Sequence, residues 1–437
     1  MSDYSAAGAR DRLRASMGIK QKGHGVSLVE ALFFVGIDWA AKTHAVCVLD
    51  SAGRRVAAFM VEHTALGFAK LAARLAGLGA EPEAIPIAIE RPDGRLVDVL
   101  LEAGYPVVPV KPNAIKSWRE SEVLSGAKSD AGDAEVIAEY LRLRAHRLRA
   151  ATPYSDQTRA VRVVSRTRSE LVDARVAATN QLAALLDAHW PGAKEVFADV
   201  ASPISLAFLS QYPTAASAAR LGVRRMAAFC AKHGYSGRRD PEVLVQRLRN
   251  APAGTSGPAM TDALRKAVLA HVAVLTALNR AIKDLDRSVA AQLADHPDGT
   301  VFASFPRVGT VNAAQILAEW GDARDAYRDA EAVSALAGLV PVTKKSGKHE
   351  AVHFRWACNK RLRVALTTFA DNSRHSSPWA AEIYQRARAH KKDHPHAVRI
   401  LARAWVRVLW RCWQTGTPYD PALHNSARIP LETAPAA

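Results

Sequence analysis

Apolar and polar positions in the first part of the chain predict short strands separated by turns and helices. Apolar runs that end in an acid or a turn predict strands over residues 33–38, 43–50, 55–61, 85–90 and 105–110. Helical spacing of apolar residues predicts helices over residues 64–78, 94–103 and 130–147. Thr64 and Ser129 are suitable N-cap residues for the first and last of these helices. Three strands followed by alternating helices and strands predict a mixed α/β domain.

From about residue 151 onward the pattern predicts helices. Two long helices are expected over 156–189 and 260–294, with shorter helices in 201–250 and a Pro- and Gly-rich linker at 250–258. In the second long helix, apolar residues alternate spacings of three and four, which fits a coiled-coil seam or equally the core face of a bundle. The seam consists of Leu275, Leu278, Ile282, Leu285 and Val289.

The fold class expected is therefore α/β followed by mainly α. Five segments are predicted: a disordered tail over 1–30, an acidic mixed-sheet domain over 31–150, a helical linker or coiled-coil region over 151–299, a mainly helical domain over 300–424, and a second tail over 425–437. In the last domain Trp405, Leu409 and Trp413 recur every four residues, which favours a buried helix face over a platform for stacking bases.

The net charge of the chain is more informative about its function than the rest of its composition. The chain of 437 residues carries 59 Lys and Arg against 42 Asp and Glu, a net charge of +17. Such an excess repels itself in a compact protein and favours a polyanionic partner, most often nucleic acid. No apolar run is long enough to span a bilayer, so we expect no membrane partner and a cytoplasmic protein. The four cysteines, Cys47, Cys230, Cys358 and Cys412, have no metal-ligand spacing and fit reduced, structural positions.

Four acids form a candidate metal site. Asp38 and Glu90 each end a predicted strand, while Asp130 and Asp133 lie three residues apart and so share one face of a predicted helix. Clustered carboxylates require a cation, and hard oxygen ligands suit Mg²⁺, with Mn²⁺ as an alternative. The same pattern is also compatible with strand-end caps and with acids that favour a helix N-terminus. The order of the strands, helices and acids resembles the RNase H-like fold of RuvC-type nucleases.

Longer motifs extend this resemblance to a family. Gly36-Ile37-Asp38-Trp39-Ala40, Ile89-Glu90 and Lys128-Ser129-Asp130-Ala131-Gly132-Asp133-Ala134 resemble the signature of the DEDD transposases, the bridge-RNA-guided recombinases of insertion sequences. Later segments resemble the second conserved domain of that family. They are Phe305 to Glu319, Ala335–Pro341 with Lys345-Ser346-Gly347-Lys348, and the segments beginning at Arg374 and Arg403. The resemblance extends over about residues 33–424.

The resemblance implies a mechanism. Asp38, Glu90, Asp130 and Asp133 would bind Mg²⁺, and Ser346 would attack a DNA phosphate to form a covalent phosphoserine link. A noncoding bridge RNA would pair with donor and target DNA, and the protein would act as a homo-oligomer, a dimer or a tetramer. Basic residues near the serine and in the following segment are candidate nucleic-acid contacts, namely Lys344, Lys345, Lys348, Lys360, Arg361 and Arg363.

Two stretches depart from the family pattern. Arg307 stands where many relatives carry Gly, and the segment from His353 to Lys360 lacks the usual Ser- and Gly-rich composition. Taken without the family motif, Ser346-Gly347 is an ordinary turn. Two other functions are therefore considered: a RuvC-like nuclease or junction resolvase that uses metal-activated water, and an inert nucleic-acid-binding or regulatory protein.

Overall fold

The structure is a computed structural model that describes residues 28–91, 94–122, 129–252, 257–346 and 349–422. The chain divides into two compact units, Met1–Pro153 and Tyr154–Ala437. The predicted tails over 1–27 and 425–437 lie outside the described residues. The end of the first predicted tail, Leu28–Glu30, is instead a 3-10 turn, and Leu28 is buried in the first unit.

A five-stranded mixed sheet forms the first unit, in the order β3-β2-β1-β4-β5. Its strands are β1 Phe33–Asp38, β2 Thr43–Asp50, β3 Arg55–Glu62, β4 Ile87–Ile89 and β5 Val107–Pro109. The first three strands pair antiparallel, whereas β1, β4 and β5 pair parallel. The mixed sheet predicted from the hydrophobic pattern is therefore confirmed.

Four helices accompany the sheet: α1 Ala65–Ala76, α2 Arg95–Glu102, α3 Pro112–Glu122 and α4 Asp130–Arg144. Both predicted caps are present, because Thr64 accepts a hydrogen bond from Gly67 N at 3.0 Å and Ser129 accepts one from Gly132 N at 3.1 Å. Helix α3 was not predicted. It begins with a proline and is mostly polar, so it lacks the apolar stripe on which a sequence prediction depends.

Helix α4 lies directly on β1, and a glycine makes this possible. A Cβ atom at Gly36 would clash with the Ala134 carbonyl oxygen and with the Ala138 amide nitrogen. Ala134 and Ala138 are themselves fully buried and small, so the backbones of strand and helix approach closely. This contact fixes the first turn of α4 against the carboxyl end of β1.

The second unit is mainly helical. It contains α5 Asp156–His189, α6 Pro191–Glu195, α7 Pro203–Gln211, α8 Ala215–Ala218, α9 Val223–Lys232, α10 Pro241–Asn250, α11 Pro258–Asp295, α12 Gly299–Ala303, α13 Thr310–Trp320, α14 Ala330–Leu336, α15 Lys360–Ser373, α16 Pro378–Ala389 and α17 His394–Thr415. None of the described helices is both long and apolar enough to cross a membrane.

The long helices α5 and α11 pack against each other in opposite directions. Arg168 pairs with Asp286 at 2.5 Å, while Arg175, two turns later on α5, contacts Asn279, two turns earlier on α11. In the predicted seam, Leu275, Ile282 and Val289 are buried. The apolar face of α11 is thus covered within the chain.

Apolar residues of the second unit form two cores. One surrounds the later part of α5 and the helices α6 to α10, and includes Trp190 and Phe208. The other joins the ends of α5 and α11 to the C-terminal helices and contains Val289 and Trp320. The predicted internal face of α17 is confirmed, because Trp405, Leu409 and Trp413 are all buried there.

A two-stranded antiparallel hairpin interrupts the helices, with β6 Val342–Ser346 and β7 His349–His353. The hydrophobic pattern indicated only a turn at Ser346-Gly347, whereas Ser346 is the last residue of β6. Gly347 and Lys348 lie outside the described residues. The strand was missed because its sequence, Val-Thr-Lys-Lys-Ser, is polar and short.

Replacing Gly36 with alanine tests the strand–helix contact. Because the new methyl group has to displace the backbone of α4, we expect Gly36→Ala to lower the free energy of unfolding by about 1–3 kcal/mol. Gly77→Ala is the matched control in the same unit, since Gly77 has φ −65° and its Cβ would meet nothing closer than 3.3 Å. Urea unfolding followed by circular dichroism measures both, and equal stabilities would contradict the packing argument.

Candidate active sites of the two units

Two of the four predicted acids lie on neighbouring strands at one edge of the sheet. Ile37 of β1 and Ile89 of β4 are partners in the parallel register, and Asp38 and Glu90 each follow this pair by one residue. Both acids are half-buried. Side chains two residues apart on a strand share a face, so Asp38 projects from the same face as Gly36, against which α4 packs.

Helix α4 brings the other two acids to this edge. Asp130 is its first residue and is exposed, whereas Asp133, one residue before the contact of Ala134 with Gly36, is buried. The backbone of β1, β4 and α4 therefore brings the four acid-bearing positions toward the carboxyl ends of β1 and β4.

Asp133 has a cationic partner that the sequence analysis missed. The Arg119 guanidinium of α3 forms an ion pair with the Asp133 carboxylate, and the two side chains are only 23% and 10% exposed. Trp118 of α3 packs edge-on against Tyr140 of α4, and the Arg144 guanidinium lies over the Trp118 ring. These contacts hold α3 on α4 and place Arg119 beside the acids.

The residues that follow Asp38 and Glu90 also contact each other. The Arg91 guanidinium lies 4.4 Å from the centroid of the Trp39 ring, a cation–π contact across the two strand ends. Nearby, His44 of β2 is buried and its Nε2 atom lies 2.9 Å from Nδ1 of His63. Burial and the neighbouring His63 lower the pKa of His44, so this imidazole is neutral at physiological pH.

The argument for a metal ion at this edge depends on the chemistry of the acids and on the positions of their backbone. Carboxylates are suitable ligands for Mg²⁺. However, among the residues that the structure describes, no three acidic, histidine or cysteine side chains are arranged to hold an ion. Asp133 in particular is engaged by Arg119. To act as a ligand, its carboxylate would exchange the guanidinium for the metal.

In the second unit, Ser346 lies at the far end of the β6–β7 hairpin. Its register partner is His349, and the hairpin begins at the pair Val342 and His353. Lys344 and Lys345 lie on the same strand as Ser346, with Lys345 exposed, and Lys348 falls outside the described residues.

Two arginines fix the base of this hairpin. Arg355 donates to the Val340 carbonyl at 3.0 Å, and Arg363 donates to the carbonyls of Ala337 and Arg355. Gly338, with φ +67°, leaves no room for a side chain beside the Arg363 guanidinium. Arg363, predicted as a nucleic-acid contact, therefore binds the protein backbone in this structure.

The two other predicted contacts on α15 differ from each other. Lys360 is the first residue of the helix and is exposed. Arg361 is also exposed but forms an ion pair with Glu170 of α5 at 3.0 Å. Surface ion pairs of this kind are weak, so Arg361 can exchange Glu170 for another anion at little cost.

A buried carboxylate holds the helices that support the hairpin. The Glu319 side chain on α13 is 1% exposed and receives two hydrogen bonds from Arg166 of α5, at 2.7 and 2.9 Å. Asn359, which caps α15, donates to the same carboxylate at 2.8 Å. Burial alone would raise the pKa of Glu319, but the Arg166 and Asn359 hydrogen bonds outweigh it and lower the pKa.

Comparison with known proteins matches both units. Residues 35–191 match the family model for DEDD transposases of the IS110 type, described as "Transposase". Residues 299–385 match the model described as "Transposase IS116/IS110/IS902 family". The first match contains all four acids, and the second contains Ser346 and Glu319.

Similarity to individual proteins extends over nearly the whole chain. A protein of Streptomyces coelicolor described as "Mini-circle putative transposase for IS117" is 32% identical over 395 residues, which cover 89% of this chain and 95% of that protein. A 42 kDa protein of insertion element IS900 from Mycobacterium paratuberculosis is 27% identical over 90% of this chain and 98% of its own length. A 43.6 kDa protein of insertion element IS110 from Streptomyces coelicolor is 26% identical over 89% of this chain.

These matches and the mixed-sheet fold define the class: the protein is an insertion-sequence transposase, an enzyme that moves DNA. Within that class, the chain belongs to the IS110/IS116 family of transposases.

Neutralising Glu319 tests the network behind the hairpin. Glu319→Gln removes the charge that satisfies Arg166 in a buried position, so we expect the free energy of unfolding at neutral pH to fall by about 3 kcal/mol. Glu331→Gln is the control, because Arg403 and Arg407 bind this carboxylate in a similar way at a site where it is 40% exposed. The control should lose less than about 1 kcal/mol.

The same pair of variants predicts a pH dependence. A depressed pKa in the folded state adds stability above the unfolded-state pKa, and this is lost as the pH falls through the folded-state pKa. The wild type should therefore lose stability as the pH falls below about 4.5, the ordinary pKa of a glutamate. Glu319→Gln should lack this part of the dependence of stability on pH. Identical pH profiles of unfolding for the wild type and Glu319→Gln would refute the ionised state of Glu319.

Proposed function

We propose that this transposase cuts and rejoins DNA through a covalent link to Ser346, with Mg²⁺ or Mn²⁺ held by Asp38, Glu90, Asp130 and Asp133. The observation that carries the proposal is the meeting of the four acid-bearing positions at one sheet edge, set by the Ile37–Ile89 register and by the contact of α4 with Gly36. The position of Ser346 at the end of a hairpin strand supports the second half of the proposal.

The step at Ser346 is a phosphoryl transfer. The serine oxygen bonds to phosphorus, one phosphorus–oxygen bond of the DNA strand breaks, and the departing strand end leaves with the proton that the serine loses. In the reverse direction a strand end with a free hydroxyl attacks the phosphoserine, and the serine is released. One phosphoester replaces another in each direction, so joining needs no nucleotide cofactor.

Serine is a weak nucleophile and needs activation. A divalent ion bound by the acids would withdraw charge from the phosphate and help to deprotonate the attacking group. The chain's own residues supply the rest. Lys345, exposed and next to Ser346 along the strand, lies on the opposite face of the hairpin and is suited to bind another backbone phosphate of the same DNA.

We further infer that DNA choice depends on a noncoding bridge RNA that pairs with donor and target, and that a dimer or tetramer carries out the exchange in the bacterial nucleoid. The charge of +17 supports two nucleic-acid partners. Base pairing would supply sequence specificity, while the protein binds backbones.

A recombination assay with purified protein, its flanking RNA, donor and target DNA and Mg²⁺ tests the serine step. Wild type should give a covalent protein–DNA adduct on a denaturing gel together with joined product, whereas Ser346→Ala should give neither. Asp38→Asn should also abolish both. If Ser346→Ala recombines as wild type does, a nuclease that uses metal-activated water is the better description. If chelation of Mg²⁺ changes nothing because no cutting occurs, the protein only binds nucleic acid.

Metal binding can be tested without activity, through the competition at Asp133. Arg119→Gln removes the guanidinium from the Asp133 carboxylate, so Mn²⁺ should bind about threefold to tenfold more tightly, equivalent to about 0.7–1.4 kcal/mol. Asp133→Asn should bind it more weakly than wild type. Arg95→Gln is the control, because Arg95 pairs with Glu102 on the exposed surface of α2. Isothermal titration with MnCl₂ measures all four proteins, and unchanged affinity in Arg119→Gln and Asp133→Asn would remove Asp133 from the ligand set.

A further inference from the structure

A cavity of about 330 Å³ lies at the base of the serine hairpin, between the residue that follows β7, helix α15 and the start of α17. Its walls include two arginines, two hydroxyl groups, an acid and a histidine: Arg363, Arg399, Thr367, Thr368, Asp371 and His394. The cavity lies outside the acid site and borders a hydrophobic core of the second unit through Val398.

Two guanidinium groups meet at one aromatic ring in the cavity. Arg363 lies 4.4 Å and Arg399 lies 5.0 Å from the centroid of the Phe354 ring. Arg363 already donates to backbone carbonyls at the hairpin base. Arg399 differs, since it forms neither a hydrogen bond nor an ion pair with any of the described residues, although its side chain is half-buried. Burial, together with the charge of Arg363, lowers the pKa of Arg399 against the opposing effect of Asp393.

Asp371, the acid in the cavity, does not neutralise the positive charge of Arg399. Asp371 accepts a hydrogen bond from Nε of Arg374 at 2.7 Å, and Nε2 of His394 lies 3.9 Å from the same oxygen. His394 in turn is bonded to the hydroxyl of Tyr384. Asp371 is therefore occupied by its own neighbours, and the Arg363–Arg399 side of the cavity retains a net positive charge.

We propose that this cavity binds a backbone phosphate of the DNA strand that the enzyme cuts, with Arg399 as its principal ligand. The inference rests on the proposed serine chemistry for the identity of the strand, but not for the presence of a phosphate. A partly desolvated guanidinium is costly without an anion, and its planar fork matches two phosphate oxygens. The exposed Thr368 hydroxyl adds a donor that commonly contacts phosphate.

The hairpin sets the distance between this phosphate and Ser346. Four residue steps separate Val342, at the base, from Ser346 at the end of β6, which is about 13 Å along a strand. Measured parallel to the axis of a duplex, where one strand carries a phosphate about every 3.4 Å, this distance spans at most about four nucleotides. The cavity would thus hold DNA a few nucleotides from the attacked phosphate, and Arg363 would couple that contact to the hairpin base.

The test measures binding, without chemistry. Full-length wild type and Arg399→Gln are titrated into a fluorescein-labelled 30-base-pair DNA duplex at several salt concentrations, and fluorescence anisotropy is recorded. Loss of one phosphate contact should make the slope of log affinity against log salt less steep by about 0.9. When the salt is raised from 50 to 200 mM, the fold-decrease in affinity should therefore be about three times smaller for the variant than for the wild type. Arg399→Lys, which retains the charge, should keep the wild-type slope.

Arg407→Gln is the matched control. It makes the same charge change two turns later on α17, but the Arg407 guanidinium is already bound to Glu331, which Arg403 also holds. Its salt slope should equal that of wild type. Thermal unfolding confirms that all the variants are folded before binding is compared.

Three results would overturn the proposal: an unchanged slope in Arg399→Gln, an equal reduction in Arg407→Gln, or a reduction seen only with an RNA duplex of the same sequence, which would make the cavity an RNA site. The serine proposal is judged separately. If Ser346→Ala still recombines while Arg399→Gln shows the reduced DNA slope, the phosphate site stands and the serine mechanism fails.

Discussion

The close approach of α4 to β1 is the constraint on which the acid site depends. A strand and a helix can touch at backbone distance only where neither carries a bulky side chain, and Gly36, Ala134 and Ala138 satisfy that condition. The contact fixes Asp133 one residue away on the helix, while Asp38 lies two residues along the strand on the same face. Packing thus determines where the carboxylates are, against the repulsion between neighbouring like charges.

In the second unit a buried charge has the corresponding role. Glu319 joins α5, α13 and the N-cap of α15 through Arg166 and Asn359, so three helices meet at one carboxylate. Buried ion pairs add little net stability compared with apolar packing, but an unpaired buried charge is so costly that only one arrangement of the helices satisfies it. That specificity suits a unit which holds the base of the β6–β7 hairpin at a defined position, since the hairpin itself has few apolar residues.

The parts of the molecule that the sequence predicted are those with a strong local signal. Strand ends, helical spacing and the caps at Thr64 and Ser129 are local, and they placed Asp38 and Glu90 at strand ends and Asp130 and Asp133 on one helix face, whereas bringing that helix to the strand ends depended on the fold resemblance. Arg119 could not be found in this way, because its helix is polar and its partner is fourteen residues away along the chain. The β6 strand was missed for a related reason: a hairpin whose residues are mostly polar has no hydrophobic alternation to reveal it.

The roles of the charged residues are the part of the molecule that the sequence predicts least well. A net charge of +17 correctly indicates a nucleic-acid enzyme, but the total does not say which arginines face the nucleic acid. Arg363 is bound to backbone carbonyls, Arg166 to Glu319, and Arg403 and Arg407 to Glu331, so all four serve the fold. Arg399 differs from them in its surroundings: it is half-buried beside another guanidinium and has neither a hydrogen bond nor an ion pair among the described residues. A folded chain satisfies its buried cations wherever it can, so a half-buried guanidinium with neither a hydrogen bond nor an ion pair among the described residues is a guide to where a substrate anion would bind.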